Sequence, residues 1–488
     1  MKAKLSRLVP LLILLGLVPV SGCTINPATG QPTFTAFMSE DEEARQGRAE
    51  HPKVLEEFGG AYNDPELQRY VTSIGDLLAS TSERSNVRFT FTVIDSPIVN
   101  AFALPGGYVY VTRGLMALAG NEAELAGVIA HEIGHVAARH QAQRYSHAVL
   151  ANLGLIGLGL ATGSGELMNA ASVGAAAVLQ SYSREEEFEA DELGVRYLSR
   201  ATYDPAAMST FLQKLLDHSR LEAALEGRPE AADKTNIMAT HPRTADRVQR
   251  AIAEAGQAPV RNPLVERDLY LDKIDGMLYG DDPKEGFIRG RRFAHPVLRF
   301  EFEVPPGFSL VNGTKRVTAL GPQSSIILFD RAPKAAGGSM MNYLLRVWGQ
   351  NADLRNAEEI DVNGLEGATA VTQGNTSRGA VDVRLVAIRY DADSIYRFIF
   401  ATPPATTASL SSELRRTTYS FRRLSDSEAA SLKPQRLRVI TVEPGDTMAG
   451  LAQLMDFEDH REERLRVLNG LERGQGVSPG QRVKIVAQ

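Results

Sequence analysis

Residues 127–136, Gly-Val-Ile-Ala-His-Glu-Ile-Gly-His-Val, set His131, Glu132 and His135 within one stretch of helical spacing. Side chains four apart lie on one face of an α-helix, so His131 and His135 can offer two imidazole nitrogens to a single metal ion. Glu132 sits one step round, where its carboxylate can reach a water on that metal. Two neutral nitrogens with an open coordination position suit Zn²⁺. The run Asn121–Ala130 leads into this segment with apolar residues at helical intervals and no proline, which places the pattern inside a helix. With 9 His and 59 acidic residues in 488, such a pattern arises by chance only about 0.02 times per chain.

A chain of 488 residues is long enough for two to four domains. The first 22 residues read as a signal peptide: Lys2, Lys4 and Arg7 precede a short apolar run from Leu8 to Val20. Val20-Ser-Gly-Cys23 then resembles a bacterial lipobox. Cys23 is the only cysteine, so it forms no intramolecular disulfide or thiolate cluster, and its place suits lipidation. Thr24, rather than Asp, follows it; by resemblance to sorted lipoproteins this favours the outer membrane. Formal net charge is −6 at pH 7, and loss of three cations with residues 1–22 makes it more negative, which argues against nucleic-acid binding. The apolar stretches Ala148–Thr162 and Ala170–Leu179 are short and read as buried or groove-covering helices.

A catalytic zinc takes three protein ligands. Ser183–Gly194 predicts an acidic helix, and chemistry alone leaves Glu185, Glu186, Glu187 and Glu189 open as the third. His-Glu-x-x-His followed by Glu187-Phe-Glu-Ala-Asp191 resembles the gluzincin family of the CAAX prenyl protease, HtpX and BepA-type periplasmic metalloproteases. The resemblance implies one Zn²⁺ per chain, held by His131, His135 and Glu187. Glu132 is then the catalytic base, and Asp191 supports a ligand. Thr240-His241-Pro242 and Arg247 match the family's His-Pro-x-x-x-x-Arg element, which gives His241 a role over the zinc and pairs Arg247 with Asp191. Asn26–Gly30, Met38-Ser-Glu and Asn100–Gly107 resemble the BepA-like branch as well. Ala103–Gly107 reads as a turn and Tyr108–Thr112 as an alternating strand. Asn100, Ala101 and Phe102 are expected to contact an extended substrate at a strand edge.

Downstream, residues 263–288 read as a linker. Residues 289–425 read as an α+β sheet domain with a vague resemblance to PsbP-like folds. Residues 437–488 read βααβ, with Asp446 expected to cap the first helix; Val442–Thr447, Leu468-Asn469 and Ser478–Gln481 resemble a LysM domain, which implies peptidoglycan binding. The fold class is therefore multidomain: a mainly α zincin-type protease domain with a small sheet over 23–262, the α+β domain, then the LysM-like module. The functional expectation is a periplasm-facing, lipid-anchored zinc endopeptidase acting on misfolded or misassembled envelope proteins. The alternative is a chaperone-like assembly factor or peptidoglycan-associated scaffold with a latent metal site.

Overall fold

In the computed structural model, residues 23–162, 181–225, 227, 230, 241, 244–257, 259–334, 337–376 and 379–488 are described. The expected signal peptide and the apolar stretch 170–179 lie outside them, as does most of the polar stretch 226–236. The chain starts with a small antiparallel pair, β1 (Cys23–Ile25) and β2 (Pro32–Phe34). Helix α1 (Glu40–Glu57) begins at a capping box in which Ser39 and Glu42 satisfy each other's backbone amides. Helix α2 (Pro65–Thr81) starts where Asp64 accepts from the Glu66 and Leu67 amides, with Pro65 in the first turn.

Strands β3 (Thr90–Ile94), β4 (Ala101–Leu104) and β5 (Tyr108–Thr112) form a sheet in the order β3-β5-β4. Ala103 and Leu104, expected in a turn, are thus in a strand; the turn is confined to residues 105–107. Gly106 and Gly107 have φ of +81° and +91°, which only glycine adopts without strain. Helix α3 (Arg113–Leu118) follows, then α4 (Glu122–Ala137), which carries the His-Glu-x-x-His residues. Every residue of α4 is buried, its titratable Glu122, Glu124, His131, Glu132 and His135 included. Helices α5 (His140–Thr162), α6 (Arg184–Arg200), α7 (Ala207–Leu225) and α8 (Thr244–Gln257) complete the helical shell. Helix α4 lies close against α6 because Gly134 presents no side chain: a Cβ there would stand 3.1 Å from the Ala190 carbonyl oxygen.

Residues 263–288 are not a linker. They contain α9 (Arg267–Ile274), whose Tyr270, Leu271 and Ile274 are buried in the same core as α4, and β6 (Leu278–Tyr279). Turn-forming residues around Gly276 and Gly280 mask these short elements in the sequence. Strands β7 (Phe287–Arg289), β8 (Arg292–His295) and β9 (Phe300–Glu303) open the middle region. Its main sheet has seven antiparallel strands running from Ser309 to Thr402, covered by the helix α10 (Pro404–Ser420). Phe300, Phe302, Phe329, Phe398 and Phe421 meet in its core.

The C-terminal residues do follow a βααβ order: Gln435–Thr441, α11 (Met448–Gln453), α12 (Arg461–Asn469) and Arg482–Ala487, with the two strands antiparallel. The cap of α11 is Thr447, which accepts from the Gly450 amide, whereas Asp446 binds the Glu443 amide instead. This unit is not free-standing. Its first strand also pairs with β6, and Leu437, Leu451, Leu465 and Ile485 share one hydrophobic cluster with α4. Lys484 seals the junction: its buried Nζ donates to the carbonyl oxygens of Ala117, Leu118 and Ala119, at 2.6, 3.2 and 2.6 Å. These are C-terminal acceptors of α3, left without partners inside the helix, and burial pushes the Lys484 amine well below its usual range.

Lys484→Met keeps the apolar stem and removes the donor to all three carbonyls. The expected cost is about 1–3 kcal/mol, read as a lower urea midpoint; an unchanged midpoint would show that the junction does not depend on this side chain.

Candidate metal centre

The site is built where α4 faces α6. His131 and His135 project from α4, and their Nε2 atoms converge to 3.0 Å. On α6, Ser183 and Glu186 form a capping box that starts the helix, which occupies Glu186 at its N-terminus. Glu185 is exposed, Glu189 is half-buried, and Glu187 alone of the four turns fully inward. Its carboxylate lies 3.4 Å from His135 Nε2 and 3.7 Å from His131 Nε2. His241 comes in from the segment before α8, with Nδ1 2.8 Å from Glu187 Oε1 and Nε2 3.7 Å from Glu132 Oε1. Ligand atoms of His131, His135, Glu187 and His241 all lie within 4.8 Å of one another.

Asp191, one turn beyond Glu187, receives His131 Nδ1 at 2.9 Å. Arg247 from α8 grips Asp191 through Nε and Nη2, both at 2.7 Å, and reaches Glu187 through Nη1 at 2.6 Å. Burial alone pushes both carboxyls up, but it is outweighed. His241 and Arg247 hold Glu187 well below the usual carboxylate range, and Arg247 with His131 holds Asp191 below it. Burial drives His135 far below the usual histidine range, so it is a neutral imidazole, as a ligand must be. Glu132 is pushed upward by burial. For His241, burial favours the neutral ring, yet the facing Glu187 outweighs it and raises the pKa.

Two buried atoms bear on whether a metal fits. Glu132 Oε2 and His241 Nε2 have no hydrogen-bond partner among the described residues, an arrangement that costs free energy unless a water or ion supplies one. Three imidazoles and a carboxylate, all buried, form a nitrogen and oxygen donor set suited to zinc.

The structure brings in neighbours that the sequence pattern did not indicate. Tyr182 stacks on His135, with centroids 3.7 Å apart and planes at 17°, and its hydroxyl accepts from Gln141 at 2.9 Å. His140 is fully buried with Nδ1 2.8 Å from His135 Nδ1. A position five residues on does not share a helical face. Arg139, at φ +59°, breaks the helix and turns His140 back toward His135.

Of the residues expected to contact substrate, Ala101 and Phe102 lie on β4, the sheet's edge strand; Tyr108–Thr112 is the central strand. Asn100 precedes β4; its N–H donates to the Thr112 hydroxyl, and its carbonyl accepts from the Thr112 N–H, both at 3.1 Å. Ala101 is buried, and Phe102 stacks between Phe58 and Tyr110 at 5.2 and 4.9 Å. The Ala103 carbonyl is taken by Gln141 Nε2 at 2.8 Å.

A buried ligand set of this kind, on two facing helices with a glutamate beside it, defines a zinc-metallopeptidase domain. Residues 65–255 match the model of peptidase family M48, a zinc-dependent family. Over 220 residues the chain is 36% identical to the beta-barrel assembly-enhancing protease of Escherichia coli (strain K12), a match spanning 43% of each protein. It is 32% identical over 220 residues to the mitochondrial metalloendopeptidase OMA1 of Schizosaccharomyces pombe, across 44% of this chain and 61% of that one. The chain thus spans about half the length of these curated relatives. Among solved structures, cyanobacterial PsbP from Synechocystis aligns at 14% identity with a TM-score of 0.22, over 28% of this chain and 98% of that one.

His131→Ala and Glu187→Ala should purify with sharply reduced zinc, because each removes a donor. Glu132→Gln should retain zinc and lose cleavage. Metal analysis beside a proteolysis assay checks this; full zinc in Glu187→Ala, with loss in a variant of a neighbouring glutamate, would reassign the third ligand.

Proposed function

We propose that the chain is a zinc metalloendopeptidase of the bacterial cell envelope, lipid-anchored through Cys23, that degrades misfolded or misassembled periplasmic and outer-membrane proteins. The observation that carries this reading is the buried set His131, His135 and Glu187 with the unpartnered Oε2 of Glu132 beside it, within the residues that match peptidase family M48. Zinc, when bound, supplies a Lewis acid that brings the pKa of a bound water to about 7. Glu132 takes a proton from the attacking water and returns it to the leaving amine, a role its burial-raised pKa suits. Asp191 accepts the His131 proton and fixes that ring's tautomer, and Arg247 keeps Asp191 ionised. Strand β4 is the expected edge for an extended peptide, with Asn100, Ala101 and Phe102 at its start. Pairing along it requires Gln141 to release Ala103. Envelope location is supported by the signal-like residues 1–22, the lipobox and the similarity to the barrel-assembly protease. The C-terminal βααβ unit is the candidate for peptidoglycan contact.

A second reading, a binding or assembly factor with a latent site, draws on the closed state of the cluster. Tyr182 covers His135, and His241 bonds the ligand Glu187. The purified chain should cleave casein, and a chelator should abolish the cleavage; binding of unfolded protein without chelator-sensitive cleavage would favour the latent site.

His241 tests the closure. If its contact with Glu187 holds the site shut, His241→Ala should raise cleavage of unfolded substrates with zinc retained. If it stabilises the oxyanion, the variant should lose on the order of 10²-fold in kcat. The inhibitory role is the one favoured here, and an unchanged rate would remove His241 from both.

Among the described residues, no helix is long and apolar enough to cross a membrane. Cys23→Ser should therefore shift the protein from the membrane to the soluble fraction. Membrane association that survives a salt wash would point instead to residues 148–179.

A further inference from the structure

His131 is backed directly by a carboxylate, whereas His135 is backed by another histidine. Ligating imidazoles normally donate their second ring N–H to a group that fixes tautomer and orientation. With Nε2 of His135 in the ligand cluster, its proton sits on Nδ1, 2.8 Å from Nδ1 of His140. That nitrogen of His140 must then accept, which leaves the His140 proton on Nε2. His140 Nε2 lies 3.5 Å from Glu189 Oε2, and the other oxygen of Glu189 accepts from Asn26 Nδ2 at 2.6 Å. One arrangement of protons suits each contact from Asn26 to the ligand nitrogen, although at 3.5 Å the Glu189 approach leaves His140 Nε2 without a full hydrogen bond.

The far end of this chain is held firmly. Asn26 is buried, and its side-chain oxygen accepts from the Ala28 amide at 2.9 Å. Its backbone closes a tight turn, with its N–H to the Gln31 carbonyl and its carbonyl to the Gly30 amide, both at 2.8 Å. Arg196 of α6 clamps the turn through the Ala28 carbonyl at 3.2 Å. The segment that follows Cys23 is therefore docked on the same helix that supplies Glu187 and Glu189.

We propose that Asn26, Glu189 and His140 form a polar relay, in which Asn26 orients Glu189 and the Glu189 carboxylate faces His140 Nε2, that holds His135 as the Nδ1-protonated tautomer with Nε2 presented to the metal. This rests on the zinc reading above. All three are positioning residues, and the relay makes residues 26–31 part of the metal site's support.

The test is zinc affinity of the purified full chain, measured by chelator competition, with the visible spectrum of the Co²⁺-substituted form as a second readout. Unfolding of the apo proteins checks that each variant folds. His140→Ala should weaken zinc binding about 10–100-fold, and His140→Gln, whose amide oxygen can accept from His135, should restore most of it. Glu189→Gln should weaken binding by a smaller factor and add nothing in the His140→Ala background, because the two act through one path. Wild-type affinity in His140→Ala, or additive losses in the double variant, would overturn the relay. If His140→Ala fails to fold, the half-exposed Glu189 carries the test alone, and unchanged affinity in Glu189→Gln overturns the relay. A wild-type chain that binds no zinc would bring down the zinc reading and the relay together; unaltered variants of a zinc-loaded wild type bring down the relay only.

Discussion

The burial of α4 is the constraint on which the rest depends. From Glu122 to Ala137 the helix is out of water, so every polar side chain it carries needs a specific partner. Tyr70 and Tyr203 donate to Glu122, both at 2.6 Å, and Lys214 answers Glu124 at 2.7 Å. His131 turns to Asp191, His135 to His140, and both face Glu187. Helices α6, α7 and α8 are positioned in part by supplying these partners. The low dielectric that makes an unpaired group costly also strengthens the Arg247 grip on Asp191 and Glu187. It favours the neutral form of His135 and leaves Glu132 Oε2 among the buried atoms of the site that lack a hydrogen-bond partner.

The same helix ties distant parts of the chain together. At its C-terminal end, Arg139 binds Glu43 at 3.2 Å and the Met38 carbonyl at 2.8 Å, while Arg84 reaches Glu43 and the Val136 carbonyl. The N-terminal segment is thereby fastened behind the metal ligands. At the other side, Gln435–Gln488 closes over α3 and α7; Lys484 is the polar pin to α3, and Asn469 fixes it by bonding the Lys484 backbone amide and carbonyl. The C-terminal unit completes the core of the peptidase side instead of hanging from it. Any partner that grips this unit therefore also grips the scaffold of α4.

How much of this the sequence displayed depends on how local each signal was. The helix around His131, Glu132 and His135 was legible because a repeat of four residues and an unbroken apolar run are local properties. Glu187 was not separable from Glu185, Glu186 and Glu189 by residue chemistry; resemblance to a family singled it out, and in the fold it is the one that turns inward. His140 could not be placed, because the positive φ at Arg139 that returns it to His135 has no signature in the sequence. Tyr182 and Asn26 reach the site only through tertiary packing. The short elements between 263 and 288 were hidden by glycine and aspartate, whose turn preference was real but local. The interface made by Lys484 was likewise invisible, since an isolated lysine in a strand reads as an exposed edge residue.

The central claim is that two α4 imidazoles and the Glu187 carboxylate hold one zinc. Zinc K-edge X-ray absorption on the purified full-length chain tests it most directly. The account predicts a first shell of nitrogen and oxygen only, at about 2.0–2.2 Å, with imidazole scattering from at least two histidines and one zinc per chain. A sulfur-containing shell, fewer than two imidazoles, or zinc binding that survives combined loss of His131 and His135 would contradict it.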